Sequence, residues 1–178
     1  MNVANSVKLR AEQVKPKIGS RVLNSKAELL DGSLAEEIMD LVEQRGVIVF
    51  PEIHFTDEEQ VAFTHTLGKF AHELRGEAVY KISLDPKVTA TADYLNAAFF
   101  WHFDGFMSPM PIRASVMSAK VLSPAGTGNT EFANTYAAYE ALSDEDKAHI
   151  ANLRAVHALA ATQLDVYPEP SYEQWQQW

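Results

Sequence analysis

The sequence predicts an α/β front section followed by a roll of short antiparallel strands. Two observations indicate this fold class. Up to about residue 70, helical patterns that begin with capping residues alternate with short apolar runs. After residue 78, apolar or aromatic runs are separated by turns that contain proline and glycine. With 178 residues, the chain is expected to form one domain over 17–178, preceded by a loose N-terminal arm over 1–16.

Two capping boxes position the helices of the front section. Ser33 is followed three residues later by Glu36, and Thr56 is followed by Glu59, which is the pattern that begins a helix. Gly46 is predicted to end the first of these helices. In chain order, the expected elements are a strand over 18–23, a helix over 33–45, a strand over 47–50 and a helix over 56–68.

The segments after residue 78 are predicted from apolar runs and from the turn residues between them. Asp85 and Pro86 indicate a turn, and Gly126 and Gly128 indicate the turn of a hairpin. Ser143 is expected to cap a helix. The expected elements are strands over 78–84, 97–101, 114–122 and 130–134, helices over 136–142 and from 144, a strand over 153–159 and the start of a helix within 168–178.

The composition narrows the class of protein. There are 15 Lys and Arg against 24 Asp and Glu, so the net charge of −9 disfavours nucleic acid or an anionic membrane as the main partner. A small anionic substrate stays compatible, because it responds to the local site. The chain has no cysteine, no secretory signal and no apolar run long enough to span a membrane, which predicts a cytoplasmic protein.

Residues 101–105, Trp-His-Phe-Asp-Gly, hold the strongest candidate site. On a strand, side chains alternate between faces, so His102 and Asp104 are expected to point the same way. An imidazole and a carboxylate side by side suit a divalent ion such as Fe(II), but a complete site needs at least one more ligand. A polar pair at a strand end is the commoner explanation of a three-residue pattern. These residues alone leave both interpretations open.

Motifs of several other enzyme classes are absent from the sequence. The Gly-Thr-Gly of residues 126–128 lacks the third glycine and the Lys-Ser/Thr pair of a phosphate-binding loop. There is no Gly-x-Ser-x-Gly elbow and no His-Glu-x-x-His zinc-binding helix. The pair at His102 and Asp104 therefore remains the main candidate for chemistry.

Five blocks of the chain resemble the taurine/chlorophenoxyacetate dioxygenase (TauD/TfdA) family in order and spacing. The blocks are residues 46–50, 101–105, 111–115, 128–142 and 153–157, and the likeness runs through the chain from about residue 17. The members are Fe(II)- and 2-oxoglutarate-dependent oxygenases built on a double-stranded β-helix. The resemblance implies this fold and this chemistry for the chain.

The resemblance also implies roles for three residues. His102 and Asp104 match the first two ligands of a 2-His-1-carboxylate Fe(II) site. Thr130 matches the threonine that hydrogen-bonds the distal carboxylate of 2-oxoglutarate, although Asn129 replaces the usual acid and one residue is inserted before it. O2 is the implied second cosubstrate. A small anionic organic substrate, of the aryloxy-alkanoate or sulfonate type, is implied, with residues 72–100 forming part of its pocket.

In the family, a second metal-binding histidine and an arginine that pairs with 2-oxoglutarate lie downstream of the position that Trp178 matches. The chain is therefore expected to be the N-terminal portion of an oxygenase domain, truncated before the C-terminal strands and impaired in activity. None of the other five histidines is expected to complete the site; these are His54, His65, His72, His149 and His157.

The alternative is a non-catalytic truncated remnant that acts through association with another chain. Unpaired strand edges and uncovered apolar faces favour such association, including a homo-oligomer. A cupin-like metal isomerase or hydrolase would need further His or Glu ligands on the strands of the roll. None is evident in the sequence, so this third interpretation is disfavoured.

Overall fold

The computed structural model describes residues 7–70, 78–89, 95, 100–105 and 109–178. These residues contain three strands and seven helices, a mixed α and β composition as predicted. The chain divides into two compact units. Unit 1 comprises residues 1–70 and 116–151, and unit 2 comprises residues 71–115 and 152–178.

Unit 1 contains a three-stranded sheet in the order β1-β2-β3. Strand β1 (Ala11–Gln13) pairs antiparallel with β2 (Ser20–Val22), and β2 pairs parallel with β3 (Ile48–Val49). Side chains of β2 alternate, with Ser20 and Val22 buried and Arg21 exposed, as expected for a strand with one covered face. Within the segment predicted to be a loose arm, residues 11–13 are thus tied to the sheet.

The helices of the front section are α1 (Lys26–Leu30), α2 (Ala35–Arg45) and α3 (Asp57–Leu67). The capping box of Thr56 and Glu59 on α3 is confirmed. The box predicted for Ser33 and Glu36 is wrong, because α2 begins after Leu34 without a side-chain cap. The Ser33 N–H instead donates to Asp31 Oδ1 at 2.7 Å, which holds Ser33 in the turn that precedes the helix.

The termini of α1 and α2 show what the sequence missed and what it indicated correctly. Helix α1, which was not predicted, has its own capping box of Ser25 and Glu28. Gly46 follows α2 with a φ of 71°, and its N–H donates to the Val42 carbonyl. A residue without a Cβ adopts this backbone conformation without strain, so the predicted end of α2 is confirmed.

Buried apolar residues of unit 1 form one cluster between the sheet and these helices. Its members are Val22, Leu29, Leu34, Ile38, Phe55 and Phe63. The Phe63 ring lies 5.4 Å from the rings of both Phe50 and Phe55. Such aromatic pairs add to the free energy gained by burying the rings themselves.

Polar contacts attach residues 116–120 to the start of α3. Lys120 Nζ donates to the Phe55 carbonyl at 2.8 Å and pairs with Asp57 Oδ1 at 2.8 Å. Gln60 Nε2 donates to the Val116 carbonyl at 2.9 Å. These bonds join two parts of unit 1 that are far apart in sequence.

The remaining helices are short. They are α4 (Thr135–Glu140), α5 (Asp144–Ile150), α6 (Leu159–Val166) and α7 (Tyr172–Gln177). Ser143 caps α5 as predicted, since its side chain accepts from the Asp146 N–H. Ser171 and Gln174 form a capping box on α7, within the region where a terminal helix was expected. None of these helices, nor any other in the described ranges, is long and apolar enough to cross a membrane.

The strands predicted over 78–84, 114–122, 130–134 and 153–159 are wrong for the described residues. These segments are irregular, and the last one runs into α6. An apolar run supplies strand propensity, but a ladder also needs a neighbouring strand, and the described residues supply none to these segments. The double-stranded β-helix is therefore not visible in this part of the chain.

The turns that were predicted between those runs are present. Val88 N–H donates to the Asp85 carbonyl at 2.9 Å, and Thr127 N–H donates to the Pro124 carbonyl at 3.0 Å. Gly128 has a φ of 62°, and a Cβ on it would lie 2.8 Å from the Ser123 Cβ. The second turn therefore needs glycine at this position for both backbone and steric reasons.

Candidate metal centre

His102 and Asp104 lie side by side in unit 2. The His102 Nε2 atom is 3.6 Å from Asp104 Oδ1, and the two side chains are 46% and 62% exposed. Both donor atoms are thus accessible to an ion from solvent. The separation is also short enough for one small cation to contact both atoms.

A backbone carbonyl fixes the imidazole of His102. Its Nδ1 lies 2.7 Å from the Phe100 carbonyl oxygen, which can only accept, so Nδ1 carries the proton. The lone pair of the neutral ring is then on Nε2, the nitrogen that faces Asp104. Metal-binding histidines are usually oriented in this way by a second hydrogen bond on the opposite nitrogen.

The local backbone differs from the predicted buried strand. Residues 101–103 are irregular and residues 104–105 form a turn. Phe100 and Trp101 are exposed, while residues 97–99 lie outside the described part. The two side chains still share one side, so the prediction that they point the same way is met without a strand.

Gly105 sharpens the turn directly after Asp104. Its φ is 73°, a conformation that favours glycine. Sequence reasoning did not assign it a role, although the dipeptide Asp-Gly is a recognised turn signal. The Phe100 carbonyl was also missed, and no signal could have found it, because a backbone acceptor has no side-chain identity.

Within the described part of the chain, no third metal ligand lies beside this pair. The described ranges contain no cluster of three His, Cys, Asp or Glu side chains that could hold an ion. His157 belongs to the same unit, where its ring meets the edge of Phe103 with centroids 5.8 Å apart. His72 falls among the residues that are not described, and the other three predicted non-ligands, His54, His65 and His149, belong to unit 1.

The donor set fits part of an iron site. One neutral imidazole nitrogen and one carboxylate oxygen are the ligand types that divalent iron prefers, and the exposure of both leaves room for further ligands. Held by His102 and Asp104 alone, an ion would keep several positions for water or a chelating organic acid. A pair of this kind would need additional donors to hold a metal tightly.

Thr130 belongs to unit 1 and follows the turn that contains Gly128. It is exposed and lies in an irregular segment that ends where Asn134 caps α4. Asn134 Nδ2 also donates to the Lys17 carbonyl at 2.6 Å, which anchors this end of the segment to the front of the same unit. The role of Thr130 toward 2-oxoglutarate stays a prediction.

A family profile matches almost the whole chain. The family described as "Taurine catabolism dioxygenase TauD, TfdA family" is matched over residues 10–175. This chain belongs to the TauD/TfdA family. The resemblance recognised in the sequence is therefore confirmed, and the chain is homologous to Fe(II)- and 2-oxoglutarate-dependent dioxygenases.

Curated relatives of this TauD/TfdA chain include two enzymes with aryloxy-alkanoate names. The (S)-phenoxypropionate/alpha-ketoglutarate-dioxygenase of Sphingobium herbicidovorans is 32% identical over 124 residues, which cover 66% of this chain and 42% of that enzyme. The alpha-ketoglutarate-dependent 2,4-dichlorophenoxyacetate dioxygenase of Cupriavidus pinatubonensis is 28% identical over 150 residues, 73% of this chain and 51% of the relative. The chain thus spans about half the length of these relatives.

A solved structure shares the fold. The crystal structure of AAD-2 in complex with Mn(II) and N-oxalylglycine matches with a TM-score of 0.77 and 28% sequence identity. The match covers 95% of this chain and 64% of AAD-2. The TauD/TfdA chain therefore has the AAD-2 type of fold over nearly its full length.

Proposed function

We propose that this chain provides the metal-binding segment of an Fe(II)- and 2-oxoglutarate-dependent dioxygenase. The reaction is the hydroxylation of a small anionic organic substrate, coupled to decarboxylation of 2-oxoglutarate to succinate. The proposal takes the AAD-2-type fold to be the double-stranded β-helix that the family resemblance implies. The observation that carries it is the His102 Nε2 atom 3.6 Å from Asp104 Oδ1 within the family's motif.

Each residue has a defined task in this proposal. His102 donates Nε2 to the ion while the Phe100 carbonyl retains the proton on Nδ1. Asp104 supplies an anionic oxygen that offsets part of the charge of the cation. Thr130 donates its hydroxyl to the distal carboxylate of 2-oxoglutarate. When bound, iron and 2-oxoglutarate would activate O2, which is the oxidant: 2-oxoglutarate and the substrate each give up two electrons, and one oxygen atom goes to succinate and the other to the hydroxylated product.

Aryloxy-alkanoates are the substrate class that the comparisons favour. The names of the two curated relatives contain phenoxypropionate and 2,4-dichlorophenoxyacetate, and each of these acids joins an aryl ether to a carboxylate. The family description names taurine, so small sulfonates are the second class to test. Both classes are anions, which an acidic chain accommodates through a local cation or hydrogen-bond donors.

Anaerobic addition of Fe(II) and 2-oxoglutarate tests the proposal. We expect weak Fe(II) binding to the wild-type chain, strengthened by 2-oxoglutarate, because the cosubstrate contributes oxygen ligands that the described residues lack. The complex should show a metal-to-ligand charge-transfer absorption. Asp104→Ala should abolish this band, whereas Asp165→Ala, which removes an exposed carboxylate on α6, should retain it.

Exposure to O2 separates the substrate classes. Succinate formation that rises with phenoxypropionate more than with taurine supports the aryloxy-alkanoate assignment, and the reverse order supports sulfonates. Fe(II) binding that is equal in wild type and Asp104→Ala would contradict the proposed site itself, whichever substrate is added.

A second function, association with another chain, is favoured by the exposed apolar side chains of unit 2. Trp101, Val156 and Tyr172 are all largely exposed. Large exposed apolar surfaces mark interaction sites in soluble proteins. Sedimentation equilibrium of the purified chain tests this function: concentration-dependent dimers or larger species support it, and a monomer at all concentrations contradicts self-association.

A further inference from the structure

Gly105, in the turn after Asp104, lies in close contact with the side chain of Ile112. A Cβ on Gly105 would lie 2.9 Å from Ile112 Cγ1, 3.2 Å from Ile112 Cδ1 and 3.3 Å from the Ile112 backbone nitrogen. The first distance is below any normal carbon–carbon contact, and the third involves backbone that cannot rotate away. The backbone at residue 105 therefore packs so closely against Ile112 that no Cβ fits between them.

Gly105 also needs its backbone conformation. At a φ of 73°, a side chain on an L-residue meets its own backbone, so any other residue is strained whatever space surrounds it. Two independent constraints thus act on one position. A residue with a Cβ at position 105 would be both strained and in steric clash with Ile112. Relief of either would require the backbone to move at residue 105, which is bonded directly to the ligand candidate Asp104.

The two donor groups have separate anchors. His102 is fixed by the hydrogen bond from Nδ1 to the Phe100 carbonyl. Asp104 is half-exposed, and its backbone is set by the turn at Gly105. The distance between Nε2 and Oδ1 therefore depends on the hydrogen bond to the Phe100 carbonyl at one end and on the turn at Gly105 at the other.

We propose that Gly105 is a positioning residue: its turn, which lies in close contact with Ile112, sets the Asp104 carboxylate at the distance from His102 that a divalent ion needs. The proposal rests on the proposed function, because it assumes that the pair binds a metal. Outer residues that orient metal ligands typically change metal affinity by about 10-fold to 100-fold when they are replaced.

Three variants separate the steric contact from the backbone strain. Gly105→Ala introduces both constraints, Ile112→Ala removes the contacting side-chain atoms, and the double variant retains only the strain and the contact with the backbone nitrogen. We expect the Mn(II) dissociation constant to rise about 10-fold in Gly105→Ala. It should change less than about 2-fold in Ile112→Ala and recover to within about 3-fold of wild type in the double variant.

Line broadening of histidine side-chain NMR signals by Mn(II) is the readout. The six histidines give six imidazoles, and at pH 8, where imidazoles are mostly neutral, His102 should broaden at the lowest Mn(II) concentration. His54, His65 and His149 of unit 1 serve as internal standards for non-specific binding. Their unchanged chemical shifts in each variant also show that unit 1 remains folded.

The outcomes distinguish failure of the metal site from failure of the positioning role of Gly105. If His102 of the wild-type chain broadens no earlier than the internal standards, the proposed metal site fails. If His102 broadens first in the wild type and equally early in Gly105→Ala, the site stands and the positioning role is overturned. If Gly105→Ala weakens Mn(II) binding and the double variant shows no recovery, the contact with the Ile112 side chain is overturned as the cause.

Discussion

Residues 7–70 and residues 109–178 differ in how far their apolar side chains are buried. Among the described residues, the first region supplies all the buried apolar side chains, from Val22 to Phe63. In the second region, Val121, Leu122, Tyr136 and Val156 are each at least 79% exposed, and Gln163 is the single residue of those described there that is buried. Apolar composition alone does not make a core, since burial also requires a second surface.

The same contrast explains the secondary structure. In the first region, each short strand has a hydrogen-bonded neighbour, and α1 and α3 begin with complete capping boxes. In the second region, the apolar runs have no ladder partner among the described residues and remain irregular. Helices persist there because their hydrogen bonds are internal, so local capping is sufficient to define them.

Removal of the Phe63 ring from the core should have the largest effect on the free energy of unfolding. Phe63→Ala deletes a buried ring that contacts Phe50 and Phe55 and should lower the free energy of unfolding by about 3–5 kcal/mol. Phe132→Ala, at an exposed position, should cost about 1 kcal/mol or less. Urea unfolding followed by far-UV circular dichroism measures both. An equal loss of unfolding free energy in both variants would show that Phe132 is also buried in a core, which would contradict the difference between the two regions.

Three valines allow the same chemical change in both regions. Val22 is 2% exposed, whereas Val121 is 92% and Val156 is 94% exposed. Val22→Ala should cost about 1.5 kcal/mol or more, from the lost burial and the cavity left behind. Val121→Ala and Val156→Ala should each stay within about 0.5 kcal/mol of wild type. A cost at Val156 as large as that at Val22 would mean that the folded chain buries it.

Removal of helix caps should have smaller effects on stability, which also differ between the two regions. Thr56→Ala removes the cap of α3, which carries the buried Phe63, and should lower the free energy of unfolding by about 1 kcal/mol. Ser171→Ala removes the cap of α7, a six-residue helix without buried residues, and should cost less than about 0.5 kcal/mol. Two of the three tryptophans, Trp175 and Trp178, lie in or directly after α7, so fluorescence of a Trp101→Phe background reports α7 while circular dichroism reports the whole chain. A larger loss for Ser171→Ala would reverse the expected order.

The smallest expected effect is on the pH dependence of stability, at an exposed ion pair of the first region. The hydrogen bond from Arg10, followed by those from the Ser25 backbone and side chain, lowers the pKa of Glu28 from 4.5 to about 2. A lowered pKa stabilises the fold above the unfolded value, and this contribution is lost as the pH falls from about 4.5 toward 2. Glu28→Gln and Arg10→Gln should both reduce the slope of the thermal unfolding midpoint against pH between about pH 4.5 and pH 2. An unchanged slope in both variants would contradict the effect of this exposed pair.

The sequence predicted the front of the fold well and the rest incompletely, for one physical reason. The box at Thr56 and the stop at Gly46 act through neighbours a few residues away, so they are readable from the chain. Ser33 failed as a cap because α2 begins one residue later, after Leu34, while the Ser33 N–H donates to Asp31 in the preceding turn, a choice that depends on the folded turn. The predicted strand over 114–122 failed because pairing depends on a distant partner, which no local pattern encodes.

His102 and Asp104 lie side by side for a reason other than the strand alternation that predicted it. His102 and Asp104 were expected to share a face because of strand alternation, whereas the structure brings them together in an irregular segment that ends in a turn at Gly105. Their role as metal ligands, which the family resemblance implies, stays a prediction. The hydrogen bond to the Phe100 carbonyl could be known only from the fold.

Electron spin echo envelope modulation of Mn(II) bound to the chain tests the proposed metal centre most directly, because it counts the imidazole nitrogens that contact the ion. The wild-type chain should show coupling to one imidazole, lost in His102→Ala and retained in His149→Ala, whose histidine lies on α5. Coupling that survives His102→Ala would contradict the assignment of His102 and Asp104 as the metal-binding pair.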